Sequence, residues 1–269
     1  MVMLESKRAS KYFGGLIAVD QVDMKVREGD VFGIIGPNGA GKTTLFNLCA
    51  GTFPLTSGSI LFKGKDITGL SSEKVAQRGI ARTFQNIQLF SSMSVLENVM
   101  AGFHIHTSTK LWDAILRTKT YHCDEEKIRL QGDKLLEKLE LAAYRDVLAK
   151  NLPYGIQRKV EIVRALATDP KLLLLDEPAA GMNTSETQQL SDFIQLINGE
   201  GYTVVVIEHD MRFIMNLCNN IIVLDHGKKI CEGPPAKVKE NPEVIEAYFG
   251  KGLASYPELL IEKGEAARA

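Results

Sequence analysis

Apolar positions change their period several times along the chain, and each change marks an element. Residues 1–30 alternate apolar and polar, as in IAVDQVDMKV at 17–26, with turn residues at Gly14-Gly15 and Glu28-Gly29-Asp30. A period of two between turns predicts half-exposed antiparallel strands. VFGIIG at 31–36 is a short apolar run closing on glycine and predicts a buried strand. TTLFNLCAG at 43–51 then predicts a helix ended by glycine. GSILFKGKDI predicts a strand with a turn at Gly64-Lys65, and IARTFQ at 80–85 a further short strand.

From about 92 to 150 the texture changes. SVLENVMAGFHIH, LWDAILRTK and DEEKIRLQGDKLLEKLEL have helical spacing and charge-rich faces. They predict a helical subdomain inserted into an α/β body. After 157 strand and helix alternate again: QRKVEIVRALA, KLLLLDE, TSETQQLSDFIQLINGE, TVVVIEH, DMRFIMNLC and NIIVLD in turn. Continuous apolar strands separated by amphipathic helices indicate an α/β fold with a mainly parallel sheet covered on both faces. DHGKKICEG reads as a hairpin, two short helices follow, and the charged tail 251–269 is expected to be weakly ordered. One domain, 1–250, results: 1–91 and 157–250 form the α/β core with its N-terminal antiparallel β-subdomain, and about 92–156 the helical subdomain.

Composition narrows the function classes. The 269 residues are 45% hydrophobic and 24% charged, enough to fill a real core. A formal net charge of −1 argues against nucleic acid or an anionic membrane surface as partner. Cys49, Cys123, Cys218 and Cys231 are scattered without a CxxC pair, which suits buried thiols in a reducing compartment. MVMLESKRAS carries early charges and no apolar signal region, and runs such as Leu172–Leu175 fall far short of the roughly 18 residues of a membrane span. A soluble chain is expected, which would have to dock onto any membrane-embedded partner.

The chemistry enters at 36–43. Gly36-Pro37-Asn38-Gly39-Ala40-Gly41-Lys42-Thr43 fits G-x-x-x-x-G-K-[ST], preceded by a buried strand and followed by a helix. Backbone amides from Asn38 to Thr44 can cradle phosphate oxygens. Lys42 brings a point charge to the terminal phosphates, and the Thr43 hydroxyl is placed for Mg²⁺. These residues predict a nucleoside triphosphate site. LLLLDE at 172–177 is a strand ending in two acids, with Pro178 fixing its end. At the carboxyl end of a central strand Asp176 can hold Mg²⁺ through water, and Glu177 becomes a candidate general base. His209, just past the strand TVVVIEH, is a structural histidine or a member of the same crevice. His104, His106, His122 and His226 lack metal-ligand spacing and read as structural or surface residues. The helix beginning at 155–157 offers a second set of free amides. Such a site makes sense if it serves a nucleotide held by another copy, two chains arranged head to tail around two ATP molecules.

Taken together these motifs resemble the ATP-binding-cassette family over nearly the whole length to about 250. The resemblance implies an adenine-stacking aromatic at Phe13, with Val19 beside it, and a Gln-loop residue at Gln85 in RTFQ that also reaches Mg²⁺. It implies a D-loop at AAGMN, a switch histidine at His209, and Tyr154 and Gly155 contacting the partner cassette's ATP. The finer likeness is to the branched-chain amino acid importer ATPases, carried by GPNGAGKTTLFN, ARTFQNIQLF, SVLENV, DEPAAGMN, IEHDM, NPEVIEAYFG and the extra helical material around 103–130. That implies a peripheral subunit on the cytoplasmic face of the inner membrane, with two membrane-spanning permease subunits and a second, paralogous ATPase. An external binding protein would deliver the amino acid, and no nucleic acid would be involved. Departures from the family pattern are Pro153 for the signature serine, Ile156 for its glutamine and Asn183 for the D-loop aspartate, with Thr184 in place of the usual proline. Loss of the serine hydroxyl is expected to weaken closure by about 1.5–3 kcal/mol, and Asn183 suggests asymmetric hydrolysis between unlike partners. A lipid or lipopolysaccharide exporter ATPase shares the PEVIEAYFG-like ending but is less similar around RTFQNIQLF. A soluble cassette acting on DNA or ribosomes would carry a long coiled coil or a second cassette, and the sequence has neither. The cargo is not written in this chain.

Overall fold

The computed structural model of the protein describes residues 1–106, 113, 116 and 118–249. The N-terminal alternation forms β1 (Val2–Phe13) and β2 (Leu16–Arg27), paired antiparallel. With β4 (Ser57–Phe62) and β5 (Lys65–Asp66) they make a four-stranded sheet in the order β2-β1-β4-β5. A second sheet holds β3 (Val31–Ile35), β6 (Ile80–Arg82), β7 (Leu172–Asp176), β8 (Thr203–Ile207), β9 (Asn220–Asp225) and β10 (Lys228–Gly233) in the order β10-β9-β3-β8-β7-β6. Its strands run parallel except β10, which closes the edge as a hairpin with β9.

The apolar runs are continuous because both faces of this second sheet are covered. Val31, Ile35, Leu173, Leu175, Val204 and Val206 belong to one core, shared with the helices Val95–Phe103, Tyr154–Leu166 and Thr184–Gly199. Their neighbours Phe32, Ile34, Leu172, Leu174, Val205 and Ile207 belong to a second core, under the helix Lys42–Cys49 and the antiparallel sheet. Side chains on a strand alternate faces, so one five-residue strand supplies both cores.

Several boundaries differ from the sequence reading. The strand expected over 80–85 stops at Arg82: the Thr83 amide still bonds to the Leu174 carbonyl at 2.9 Å, but from Phe84 the backbone bonds to Arg158 instead and starts the loop that carries Gln85. The turn between β4 and β5 is Lys63-Gly64, both with positive φ, so Lys65 already belongs to β5. The helix after the phosphate loop is Lys42–Cys49, one residue earlier at its start, with Gly51 (φ 69) beyond its end. Cys123 is exposed, unlike the other three free thiols, so the expectation of buried cysteines holds for only three of them. In the helical part, Val95–Phe103 begins on a capping box of Ser94 and Glu97, and the long helix Lys119–Lys138 begins on Thr118. Most of LWDAILRTK, and the tail 251–269, lie outside the described residues.

Candidate active site

The crevice forms where parallel strands end together. β3 ends at Ile35, and Gly36 turns the chain at φ 152 with its Cα packed on the Leu224 carbonyl. A Cβ there would sit 2.1 Å from that oxygen, so only glycine fits. The loop is drawn tight by the Ala40 amide donating to the Pro37 carbonyl at 3.1 Å. That bond occupies the Ala40 amide, while the amides of Asn38, Gly39 and Gly41 and those of the first turn of the Lys42–Cys49 helix donate to no backbone carbonyl among the described residues. No acidic side chain lies in that first turn, so the positive helix end is uncompensated. Lys42 curls back into the loop, its Nζ donating to the Gly36 carbonyl at 2.6 Å and the Pro37 carbonyl at 2.9 Å. Burial pulls its pKa down and the Glu177 charge opposes that shift. A buried lysine held by neutral carbonyls beside an open helix end suits an anionic, phosphate-bearing ligand.

β7 and β8 pair in register, Asp176 opposite Ile207, so the residues that follow them emerge side by side. Glu177 sits at φ 44, unusual for a non-glycine residue, pinned by its amide bond to the Ile207 carbonyl at 3.0 Å. Gln85 Nε2 donates to Glu177 Oε2 at 3.0 Å, and His209 Nδ1 lies 4.0 Å from the same oxygen. Lys42, Gln85, Asp176, Glu177 and His209 therefore meet at one place. Gln85 directs its amide nitrogen to Glu177, which leaves its carbonyl oxygen as an acceptor. With the Thr43 hydroxyl and the Asp176 carboxylate this is a hard oxygen set of the kind Mg²⁺ takes alongside phosphates.

Three residues of the site escaped the sequence reading. Arg82 Nη2 binds Asp176 Oδ2 at 2.8 Å, while its Nη1 reaches Asn47 at 2.5 Å and Thr52 at 3.1 Å. Buried Glu208 accepts from the Ala179 amide at 2.8 Å and the His209 amide at 3.1 Å, tying together the turns after β7 and β8. Burial raises its carboxyl pKa, and those two amides pull the other way. Arg158, fully buried, reaches the Gln85 loop from the Tyr154–Leu166 helix. Apart from the adjacent His209 amide, each partner is distant in the chain, so no local spacing announces it.

The outlying candidates fare unevenly. Phe13 is exposed, edge-on to Phe53 at 5.8 Å with Lys11 Nζ 5.0 Å from its ring. Val19, expected beside it, is 0% exposed, with its side chain packed into the core. The helix expected from 155–157 begins at Tyr154 on Pro153. Ile156 and Gln157 both donate to the Pro153 carbonyl at 3.0 Å, so the amides open at that end are those of Tyr154 and Gly155. Tyr154 donates its hydroxyl to the Ala180 carbonyl at 3.0 Å, and a Cβ on Gly155 would meet Glu186 at 3.8 Å. Asn183 caps the Thr184–Gly199 helix, forming a capping box with Glu186. His104 lies 3.6 Å from Glu125 and His226 3.8 Å from Asp225, both on the surface.

The chain is similar to known proteins over most of its length. Residues 19–180 match the family described as ABC transporter, and residues 228–254 that described as branched-chain amino acid ATP-binding cassette transporter. The high-affinity branched-chain amino acid transport ATP-binding protein BraF of Pseudomonas aeruginosa is 40% identical, covering 93% of this chain and 98% of its own. LivG of Escherichia coli, with the same description, is 38% identical over 89% of this chain and 94% of its own. Among solved structures, the ADP conformation of MJ1267, an ATP-binding cassette of an ABC transporter, superposes with a TM-score of 0.81 at 34% identity, covering 93% of this chain and all (100%) of that one.

Proposed function

Because the chain belongs to the ABC transporter family, we propose that it is the ATP-binding and hydrolysing subunit of an importer for branched-chain amino acids. The observation that carries the reading is the meeting of Glu177 with Gln85 at 3.0 Å and His209 at 4.0 Å beside a buried, loop-held Lys42. It supplies a base, an orienting amide, an imidazole and a fixed cation where a terminal phosphate would lie.

ATP is the substrate. Lys42 and the first-turn amides of its helix bind the phosphates, and their fixed orientation stabilises charge developing on the transferred group. Glu177 accepts the proton of the attacking water, and Gln85 holds that carboxylate in place. His209, beside Glu177, contacts the terminal phosphate. Mg²⁺, held by Thr43, Asp176 and Gln85, would neutralise phosphate charge. Arg82 and Glu208 keep Asp176 and the two turns in position. Phe13 receives the base, and Tyr154 with Gly155 faces the nucleotide of a second cassette, a paralogue of this chain.

Among the described residues no helix is long and apolar enough to cross a membrane. The chain works peripherally, on the cytoplasmic face, through permease subunits. A groove of about 830 Å³ between the Gln85 loop and the helical part suits their docking, being lined by Thr83, Phe84, Gln88, Phe90, Gly102 and Arg164. Phe84 and Phe90 are large apolar side chains left exposed there. The test is purification of the tagged chain from detergent-solubilised native membranes, with each accompanying chain identified by mass. Two multi-span subunits and a second cassette support the proposal. A chain that purifies alone, as a soluble ATPase, contradicts it.

A further inference from the structure

The Tyr154–Leu166 helix buries a charge pair to which the hydrolysis described above assigns no role. Arg158 is 0% exposed and Glu161 2%, and Arg158 Nη1 lies 2.7 Å from Glu161 Oε2. The two positions are three apart on one helix, which places them on the same face. The pair is not closed on itself. Arg158 Nη1 also donates to the Phe84 carbonyl at 2.9 Å, and its Nη2 to the Gln85 carbonyl at 2.8 Å. Glu161 Oε1 accepts from the Gln88 amide at 3.2 Å. Among the described residues the backbone of 84–88 makes no other hydrogen bond, so this pair is what fixes the loop to the helix.

Stability alone is a poor reason for this arrangement. A buried ion pair is often matched by apolar residues of similar volume. Arg158 moreover leaves its Nε without a partner. What apolar residues could not do is hold two loop carbonyls and one loop amide in register. Gln85, whose carbonyl is held, aims its side chain at Glu177 at 3.0 Å. Phe84, Gln88 and Glu161 in turn line the groove assigned to the permease.

We propose that Arg158 and Glu161 are positioning residues for ATP hydrolysis: through the Gln85 loop they set the contact between Gln85 and Glu177, and make it depend on the placement of the Tyr154–Leu166 helix. The inference rests on the roles of Gln85 and Glu177 given above. Movement of that helix, or of a segment seated in the groove, is passed to Glu177 by two side chains.

The test uses the full chain, measuring kcat and KM for ATP and, separately, the Kd of a fluorescent ATP analogue. The variants are Glu161→Gln, Arg158→Lys, Gln85→Ala and the double variant Glu161→Gln/Gln85→Ala, with Glu177→Gln alongside. The expected result is a fall in kcat of about tenfold for Glu161→Gln, with KM and Kd within about twofold of wild type. In the Gln85→Ala background the same substitution should cost less than about twofold, since residues acting as one unit are not additive. Arg158→Lys should behave like Glu161→Gln; should it fail to fold, Glu161→Gln carries the test. Independent, multiplying losses would overturn the proposal, as would a loss of nucleotide affinity matching the loss of kcat. Gln85→Ala at wild-type kcat overturns it as well, and Glu177→Gln then tells whether the reading of the site falls too.

Discussion

A carboxylate can act as a base only where its oxygens are aimed, and Glu177 is held from two segments: its amide by Ile207 at the end of β8, and its carboxylate by Gln85 and, at 4.0 Å, by His209 just past β8. Replacing it by glutamine keeps the shape and removes the basicity. Glu177→Gln is expected to bind ATP within about twofold of wild type and to lose turnover by roughly 10²–10⁴-fold; steady-state hydrolysis with parallel binding measurements checks this. Glu208 makes a prediction about pH. Its carboxyl is held above its ordinary 4.5 by burial. The folded chain therefore keeps a proton that the unfolded chain has released, and this contribution to stability is full below 4.5 and is lost as pH rises through the folded value. Glu208→Gln removes that loss, so the urea midpoint of the variant minus that of wild type should grow as pH rises above 4.5 and then level off. A difference independent of pH would contradict it. At this scale the sequence revealed the residues whose meaning is local. Lys42, Asp176 and Glu177 are marked by their neighbours in the chain. Arg82 meets Asp176 across 94 positions, and Arg158 meets Gln85 across 73, so spacing could not reveal them.

Two element ends carry more than their propensity suggests. Asn183, which breaks the family's pattern as a D-loop residue, is the N-cap of the Thr184–Gly199 helix, accepting from the Glu186 amide at 3.0 Å while its own amide donates to the Glu186 carboxylate at 3.0 Å. Asn183→Ala should cost about 1 kcal/mol, within a range of roughly 0.5–2, whereas Asn183→Asp preserves the cap; denaturant midpoints separate the two. Gly102 lets the Val95–Phe103 helix lie against the Tyr154–Leu166 helix. A Cβ there would stand 2.3 Å from the Arg164 carbonyl oxygen. Gly102→Ala forces the helices apart and is expected to destabilise by about 1–3 kcal/mol, read from urea unfolding. Buried strands were legible because two-sided burial leaves an unbroken apolar run. The true length of β6 was not: IARTFQ has a strand's composition, and only the bonds that Arg158 and Glu161 make to the backbone from Phe84 on divert the chain from β7 after Thr83. Likewise the start of the Tyr154–Leu166 helix is set by the Pro153 carbonyl, which caps from outside the apolar period.

The whole molecule places its chemistry where strands from distant parts of the sequence end together. β3, β8 and β7 lie adjacent, and the turns leaving them bear Lys42, His209 and Glu177. The α/β class, the parallel sheet and the antiparallel N-terminal layer were all legible from the change of period along the chain. The continuity of the core was not. Val95, Val99 and Leu136 of the helical part share one core with Leu173, Leu175 and Val206 of the sheet, a three-dimensional packing that no linear pattern states. That shared core ties the helical part, with its Tyr154–Leu166 helix, to the sheet whose strands end at the site. The most direct test is uptake of labelled leucine by cells lacking this chain, complemented with wild type or with Glu177→Gln. Saturable uptake restored by wild type and absent with Glu177→Gln is the predicted result. Uptake that is unaffected by loss of the chain, or restored equally by Glu177→Gln, would contradict the account.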